Sequence, residues 1–168
     1  MEREYYCNSV RKTINLRDIC MVIDILVGTT SGNTEFLADM LHEELKQRGH
    51  SVRFHDNPQL NDLPTNDGFW LICVATHGAG EVADSMLDLN DQLQQQQPSL
   101  KGVQGAILSV GDSSYDTFCQ AGKDIEHVVV GLGVHLISPR FDIDMMTSSD
   151  PEQSAVNWLQ SWASKLGS

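Results

Sequence analysis

Apolar stretches and helix-like patterns alternate along the chain from residue 21 onward. Five stretches have the pattern of β-strands: they are mostly apolar, as in a strand covered on both faces, or they alternate between apolar and polar residues. These stretches are residues 21–27, 50–56, 68–75, 103–110 and 134–138. The pattern therefore predicts five short strands separated by other elements.

Apolar residues at three- and four-residue spacing predict four helices between and after these strands. Gly49 and Gly133 are natural ends for the first and third helices. The fourth helix has a strong start, with Asp150 as the cap, Pro151 in the first turn and Gln153 three residues after the cap. The four apolar faces are formed by Phe36, Leu37, Met40, Leu41 and Leu45; Met86, Leu87, Leu89 and Leu93; Ile125, Val128, Val129 and Leu132; and Ala155, Trp158, Leu159, Trp162 and Leu166. We expect the two tryptophans of the fourth face to be core residues.

This alternation predicts an α/β fold: a doubly wound, five-stranded parallel sheet with helices on both faces. The strand order 2-1-3-4-5 fits the number of elements. In that order, ligands bind beyond the carboxyl ends of the strands, near the point where the strand order reverses. The loops after strands 1, 3 and 4 meet there, and they are residues 28–34, 76–84 and 111–118, all rich in Gly, Ser or Thr.

The first of these loops has the chemistry of an anion site. Thr29, Thr30, Ser31 and Thr34 carry hydroxyl groups and Asn33 carries an amide, directly before a helix. Backbone N–H groups and the positive end of the helix dipole meet at such a turn and bind phosphate. Residues of these types often only cap a helix, but five of them in six positions after a buried strand favour a phosphate site. The loop has no Lys or Arg, so neutral donors would hold the phosphate.

Residues 29–34 differ from two common phosphate loops and resemble a third. A P-loop requires a Lys, and a dinucleotide fingerprint requires glycines where Thr30 and Asn33 stand. The segment is similar at every position to the T/S-x-T/S-G-x-T/S loop of the flavodoxins, which holds the phosphate of FMN. The resemblance implies that FMN is bound by Thr29, Thr30, Ser31, Gly32, Asn33 and Thr34.

Residues 76–81 resemble the second flavin loop of that family, T-x-G-x-G-D/E. The resemblance implies that the carbonyl group of Gly78 accepts a hydrogen bond from flavin N5 after one-electron reduction. His77 stands where many relatives have an aromatic residue that covers one flavin face; an imidazole stacks less well and titrates near neutrality. Taken alone, this loop fits an ordinary strand-to-helix connection equally well. The implied flavin-binding residues are Thr76, His77, Gly78, Ala79 and Gly80.

Residues 111–119 resemble the third flavin loop, in which Tyr is followed three residues later by Phe and then by Cys or Asn. The resemblance places Tyr115 against the isoalloxazine ring and the backbone of Gly111 and Asp112 near its pyrimidine edge. Phe118 and Cys119 would line the site or pack beneath it. From the residues alone, Tyr115 could be a surface turn residue and Phe118 a core residue, and we expect Cys119 to act mainly in packing.

Together the three motifs identify the chain as a member of the flavodoxin family, with a flavodoxin-like fold. It is most similar to the short-chain MioC-type flavodoxins, in the stretches 76–80 and 115–119. The insertion that long-chain flavodoxins carry in the fifth strand is absent from residues 134–139. No nicotinamide-binding module follows, so the chain is not expected to reduce itself with NADPH.

The acidic composition limits the partners. The chain has 23 acidic and 11 basic residues, a net charge of −12, which argues against nucleic acid and anionic membranes. The resemblance implies an electron carrier. Its net negative charge disfavours the anionic, fully reduced flavin, so we expect a low reduction potential for the second electron. We expect single electrons to pass from a basic reductase to an acceptor enzyme in transient, salt-sensitive complexes. The carrier is expected to be a monomer without catalytic residues of its own. Acidic residues beside the predicted site would steer these partners: Glu81, Asp84, Asp88, Asp112 and Asp116.

Cysteine spacing and the first twenty residues complete the sequence-based predictions. The four cysteines form no C-x-x-C motif and the histidines show no metal-ligand spacing, so we expect no disulfide framework, no metal and a reducing cytoplasm. Residues 1–20 hold four of the eleven basic residues. We expect them to be a loosely attached or non-native extension of a domain formed by residues 21–168.

Two other functions stay open at this level. One is a flavin-dependent oxidoreductase with its own small-molecule substrate. The other is a non-redox regulatory module on the same fold, such as a receiver domain. A receiver needs a phosphoacceptor Asp at the end of its third strand, where Val74, Ala75 and Thr76 stand in this chain. A cysteine phosphatase would need Cys and Arg in its anion loop, and residues 28–34 contain neither.

Overall fold

A computed structural model describes residues 20–30 and 32–166. The predictions for residues 1–19 and for Ser31 lie outside the described residues. Within them, one sheet has the order β2-β1-β3-β5-β6; β7 also pairs with β5, and β4 pairs with β3. The strands are β1 Val22–Gly28, β2 Ser51–His55, β3 Gly68–His77, β4 Glu81–Val82, β5 Val103–Gly111, β6 His135–Leu136 and β7 Phe141–Asp144. All pairs except β3–β4 are parallel, so the predicted doubly wound fold is confirmed.

The four predicted helices are present. They are α1 Asn33–Gln47, α2 Leu87–Gln96, α3 Gln120–Leu132 and α4 Pro151–Ala163, with short 3-10 helices at Leu60–Asp62 and Asp84–Met86. The Asp150 carboxylate accepts a hydrogen bond from the Gln153 N–H at 2.9 Å, as the predicted cap requires. Gly133 ends α3 at φ 114°, a left-handed conformation that a glycine adopts at little cost.

The fifth position of the sheet differs from the prediction. Instead of one strand over residues 134–138, β6 and β7 both pair with β5, with residues 137–140 between them. Pro139 lies in this interruption, and a proline has no N–H for a sheet ladder. The sequence analysis missed β7, although Phe141 and Ile143 alternate there with aspartates, because a four-residue alternation is a short and weak strand signal.

The second predicted loop is partly strand. β3 continues to His77, two residues beyond the predicted end, and β4 then pairs back so that His77 lies opposite Glu81. Gly78 at φ 50° and Gly80 at φ 111° form the turn between them. The two glycines therefore allow a tight hairpin at the carboxyl edge of the sheet.

Each face of the sheet has its own apolar core. Residues of α1 and α4 pack on one face, and residues of α2 and α3 pack on the other. Trp158 and Trp162 are buried and pack against each other with ring centroids 5.3 Å apart, which confirms their core role. Phe36 and Leu87 depart from the predicted faces, since they are 55% and 42% exposed in the first turns of α1 and α2.

Among residues 20–30 and 32–166, no helix combines the length and apolar character needed to cross a membrane.

Candidate functional site

The three predicted loops border one cavity of about 420 Å³ at the carboxyl edge of the sheet. The first loop follows β1, the second lies between β3 and β4, and the third follows β5. The cavity is lined by Thr30, Asn33, Thr34, Ala75, Thr76, His77, Gly78, Val110, Gly111, Asp112, Tyr115, Thr117, Phe118, Cys119 and Met145. The convergence expected from the strand order is therefore present in the structure.

The first loop is held from within and from the 3-10 helix before α2. The Gly32 N–H donates to Thr29 Oγ1 at 2.9 Å, and Gly32 has φ 87°. The Thr29 N–H donates to Ser85 Oγ at 2.9 Å, and the Ser85 hydroxyl donates to the Val27 carbonyl at 2.9 Å. These bonds fix the turn that leads into the N-terminus of α1, where the helix dipole favours an anion.

The second loop is connected to both of its neighbours. The Nδ1 atom of His77 lies 3.1 Å from Oγ1 of Thr30 in the first loop. On the other side, the Ala121 N–H in the first turn of α3 donates to Thr76 Oγ1 at 3.2 Å. The His77 ring thus lies beside the predicted phosphate site. That the ring covers one flavin face stays a prediction.

Asp144 at the end of β7 holds the third loop in place. Its Oδ1 atom accepts hydrogen bonds from the N–H groups of Ser113 and Met146, both at 3.0 Å, and its Oδ2 atom accepts one from the Thr147 hydroxyl at 2.9 Å. These bonds, that of Ser113 above all, lower the pKa of Asp144 to about 2. The same turn brings Met145 into the wall of the cavity.

The base of the third loop is tightly packed around Cys119. This residue is fully buried and has a left-handed φ of 53°. Burial raises the pKa of its thiol, so the thiol stays neutral at physiological pH. A Cβ added at Gly111 would lie 2.8 Å from the Cys119 backbone nitrogen and 2.9 Å from its sulfur. Gly111 is therefore required for this close approach of strand and loop.

The structure places most of the sequence-predicted site residues on the cavity wall. Thr29, Gly32, Ala79 and Gly80 belong to the loops but do not line the cavity, and Ser31 lies outside the described residues. The predicted residues that line it are Thr30, Asn33, Thr34, Thr76, His77, Gly78, Gly111, Asp112, Tyr115, Phe118 and Cys119. The binding roles themselves stay predictions.

Four lining residues were missed by the sequence analysis. Ala75 and Val110 belong to strand stretches that were assigned only to the sheet, and Thr117 occupies an unspecified position of the third motif. Met145 follows the missed strand β7. Ala75 and Val110 lie at the carboxyl ends of strands and Thr117 lies inside the third motif, so their positions in the sequence could have predicted that they line the cavity.

The residues present fit FMN. One end of the cavity has Thr30, Asn33 and Thr34 at a helix N-terminus, which suits a phosphate group. The remaining wall is largely apolar and includes Val110 and the 63% exposed Tyr115, which suits a flat aromatic ring system. In the described part of the chain, no group of three or more His, Cys, Asp or Glu side chains could hold a metal ion.

Comparisons with known proteins agree with this geometry. The sequence model of the flavodoxin family matches residues 25–158. The chain is 33% identical to the protein MioC of Escherichia coli over 144 residues, covering 86% of this chain and 97% of that protein. It is 35% identical to the MioC homolog of Haemophilus influenzae over 146 residues, covering 87% and 99%. A cysteine mutant of flavodoxin from Pseudomonas aeruginosa has a TM-score of 0.80 and 29% identity, covering 88% of this chain and all of that one.

Proposed function

The chain belongs to the flavodoxin family, and from this premise we propose that it is a short-chain, MioC-type carrier that binds FMN and passes single electrons between partner enzymes. One observation carries the proposal: the three loops border a single cavity, which has hydrogen-bond donors for a phosphate group at one end and an apolar wall at the other. FMN supplies the redox chemistry when bound, and the protein supplies position, solvent exclusion and electrostatics.

The roles of the residues follow from their positions on the wall. Thr30, Asn33 and Thr34 bind the phosphate through neutral donors, aided by the N-terminus of α1. Tyr115 packs against the ring system, and Gly78 brings its peptide close to the flavin because it has no side chain. Asp144 does not line the cavity; it positions the third loop through Ser113.

The proposal also includes a direction of electron flow, from a basic reductase to an acceptor enzyme. Residues 21–168 contain 20 acidic and 7 basic residues, so the field around the site is negative. Such a field disfavours the added negative charge of a fully reduced flavin and attracts a basic reductase. Reduced protein then delivers single electrons to an acceptor enzyme. Glu81, Asp84 and Asp116 are exposed beside the site and supply part of this charge.

Absorption spectroscopy tests the proposal directly. The purified full chain is titrated with FMN and the complex is reduced stepwise without oxygen. We expect a tight complex that first gains a broad long-wavelength band and only then bleaches, as a carrier of single electrons requires. Failure to bind FMN would refute the cofactor assignment. Binding followed by direct two-electron bleaching would contradict the carrier role and favour an oxidoreductase with its own substrate.

A further inference from the structure

A hydrogen bond joins the second loop to the first at the phosphate end of the cavity. His77 Nδ1 lies 3.1 Å from Thr30 Oγ1, and both residues line the cavity. The Asp84 N–H also points at this hydroxyl, with 3.4 Å between N and Oγ1. Thr30 is therefore the shared partner of a titratable ring and a fixed backbone donor.

The protonation state of His77 decides what this hydroxyl can do. A threonine hydroxyl has one hydrogen to donate and two lone pairs that accept. The Asp84 N–H uses one lone pair at all pH values. A protonated imidazole can only donate at Nδ1, so it uses the second lone pair and leaves the Thr30 hydrogen free for a ligand. A neutral imidazole with an unprotonated Nδ1 instead takes that hydrogen.

The charged groups around His77 are negative, so a proton on its ring adds a positive charge beside the phosphate loop. Glu81 lies directly opposite His77 across the β3–β4 pair, Asp84 shares its Thr30 partner, and Asp112 and Tyr115 line the same cavity. Glu81, Asp84 and Asp112 carry carboxylates, and no Lys or Arg is among the described residues that line the cavity. A protonated His77 is thus the one cationic side chain on this wall, within hydrogen-bond distance of the phosphate loop.

We infer that His77 and Thr30 form a proton-dependent clamp for the phosphate group of the ligand. Protonation of His77 releases the Thr30 hydroxyl to donate to the phosphate and adds a positive charge beside a dianion. The clamp rests on the proposed FMN function. It predicts that affinity for the phosphorylated ligand, and not for the ring system alone, depends on the charge of His77.

A comparison of FMN with riboflavin isolates the phosphate. We expect the dissociation constant for FMN to fall about fivefold between about pH 8.5 and about pH 6.5, where an imidazole gains its proton and a phosphate monoester stays mostly dianionic. Riboflavin has the same ring system without the phosphate, so its dissociation constant should stay constant over this range. Equal pH dependence for both ligands would overturn the inference.

Variants locate the effect on the two residues. His77→Asn places an uncharged donor near the position of Nδ1, so FMN affinity should lose its pH dependence. Thr30→Val keeps the shape but lacks the hydroxyl. It should weaken FMN binding mainly near about pH 6.5, where the hydroxyl is free to donate to the phosphate, without changing riboflavin binding. His127→Asn on the exposed face of α3 is the matched control and should retain the full pH dependence.

The outcomes separate the clamp from the proposed function. Tight FMN binding that is flat with pH, or a pH dependence that survives in His77→Asn, refutes the clamp and leaves the FMN function intact. If neither FMN nor riboflavin binds at any pH, the proposed function fails and the clamp fails with it. A pH dependence that is seen only with FMN, is lost in His77→Asn, is reduced in Thr30→Val and is retained in His127→Asn supports the clamp.

Discussion

At the scale of single residues, Asn33 offers a direct test of the phosphate site. It is the first residue of α1 and lines the cavity. Asn33→Asp keeps the size of the side chain but places a negative charge where the phosphate should bind, and like charges in contact cost several kcal/mol. We expect FMN affinity, measured by fluorescence titration, to fall by more than about tenfold.

The same substitution should leave the fold intact. An acidic residue in the first turn interacts favourably with the helix dipole, so the melting temperature of Asn33→Asp without FMN should be equal to or above that of the original chain. Asn157→Asp in the middle of α4 adds the same charge away from the cavity and can still accept the hydrogen bond from Gln153. Equal loss of FMN affinity in both variants would contradict a phosphate site at Asn33.

Two glycines of α3 show how local packing determines the change in stability when a glycine is replaced by alanine. A Cβ at Gly122 would overlap the side chain of Ser109 on β5, whereas a Cβ at Gly131 would have no atom within 4 Å. Gly122→Ala should lower the free energy of unfolding by about 1–3 kcal/mol because the helix must move away from the sheet. Gly131→Ala should raise it by about 0.5–1 kcal/mol through helix propensity. Urea denaturation of both variants measures the contrast, and similar values would contradict the close helix–sheet packing.

At the scale of elements, Asp144 connects the end of β7 to the third loop, and its pKa of about 2 makes this connection sensitive to acid. The folded-state pKa lies below the ordinary value of 3.8, so the stabilisation is fully present above about pH 4 and is lost as the pH falls through about 2. Asp144→Asn should be less stable than the original chain at neutral pH, since its amide accepts at only one atom. The gap should close as the pH falls towards 2.

Urea denaturation at several pH values measures that gap. Asp142→Asn on the same strand is a comparison variant, because Asp142 pairs with Arg140 and makes no bond to the third loop. Asp144→Asn should also weaken FMN binding, through the loop held by Ser113. A stability gap that stays constant down to pH 2 would contradict the role assigned to the Asp144 carboxylate.

Local sequence signals were sufficient to predict the helices. The features that were missed depend on contacts between segments far apart in the sequence. The cap at Asp150 and the stop at Gly133 depend on a few neighbouring residues and were confirmed in the structure. Ser85, Asp144 and β7 depend on contacts with segments 25 or more residues away, such as the bond from Thr29 to Ser85 and the bond from Ser113 to Asp144. No local pattern marks such partners.

Asp24 illustrates the same limit inside the core. It lies in the apolar run that predicted β1 and is fully buried. Its carboxylate accepts hydrogen bonds from the Arg53 guanidinium at 2.7 and 2.8 Å and lies 2.8 Å from Nε2 of His55, both on β2. A buried carboxylate needs such partners. They become evident only once the register places Asp24 opposite Arg53.

At the scale of the whole molecule, the net charge of −12 predicts how the proposed carrier would meet a basic reductase. Attraction between a negative site and a basic partner accelerates their encounter, and salt screens it. We expect the rate of reduction by a basic flavodoxin reductase, measured by stopped-flow absorbance, to fall about tenfold from low to physiological ionic strength. Reduction by a small uncharged reductant should change far less.

A pair of single substitutions shows whether the rate of reduction depends more on the charge beside the site than on the net charge of the protein. Asp116→Asn removes an exposed charge in the third loop, and Asp91→Asn removes an exposed charge on α2 that lies outside the three loops. Both variants have the same net charge, so a purely global effect would slow reduction equally. Steering towards the flavin predicts the larger loss for Asp116→Asn at low salt, and the two rates should converge with the original as salt screens the field. Equal rates for the two variants at low salt would exclude local steering.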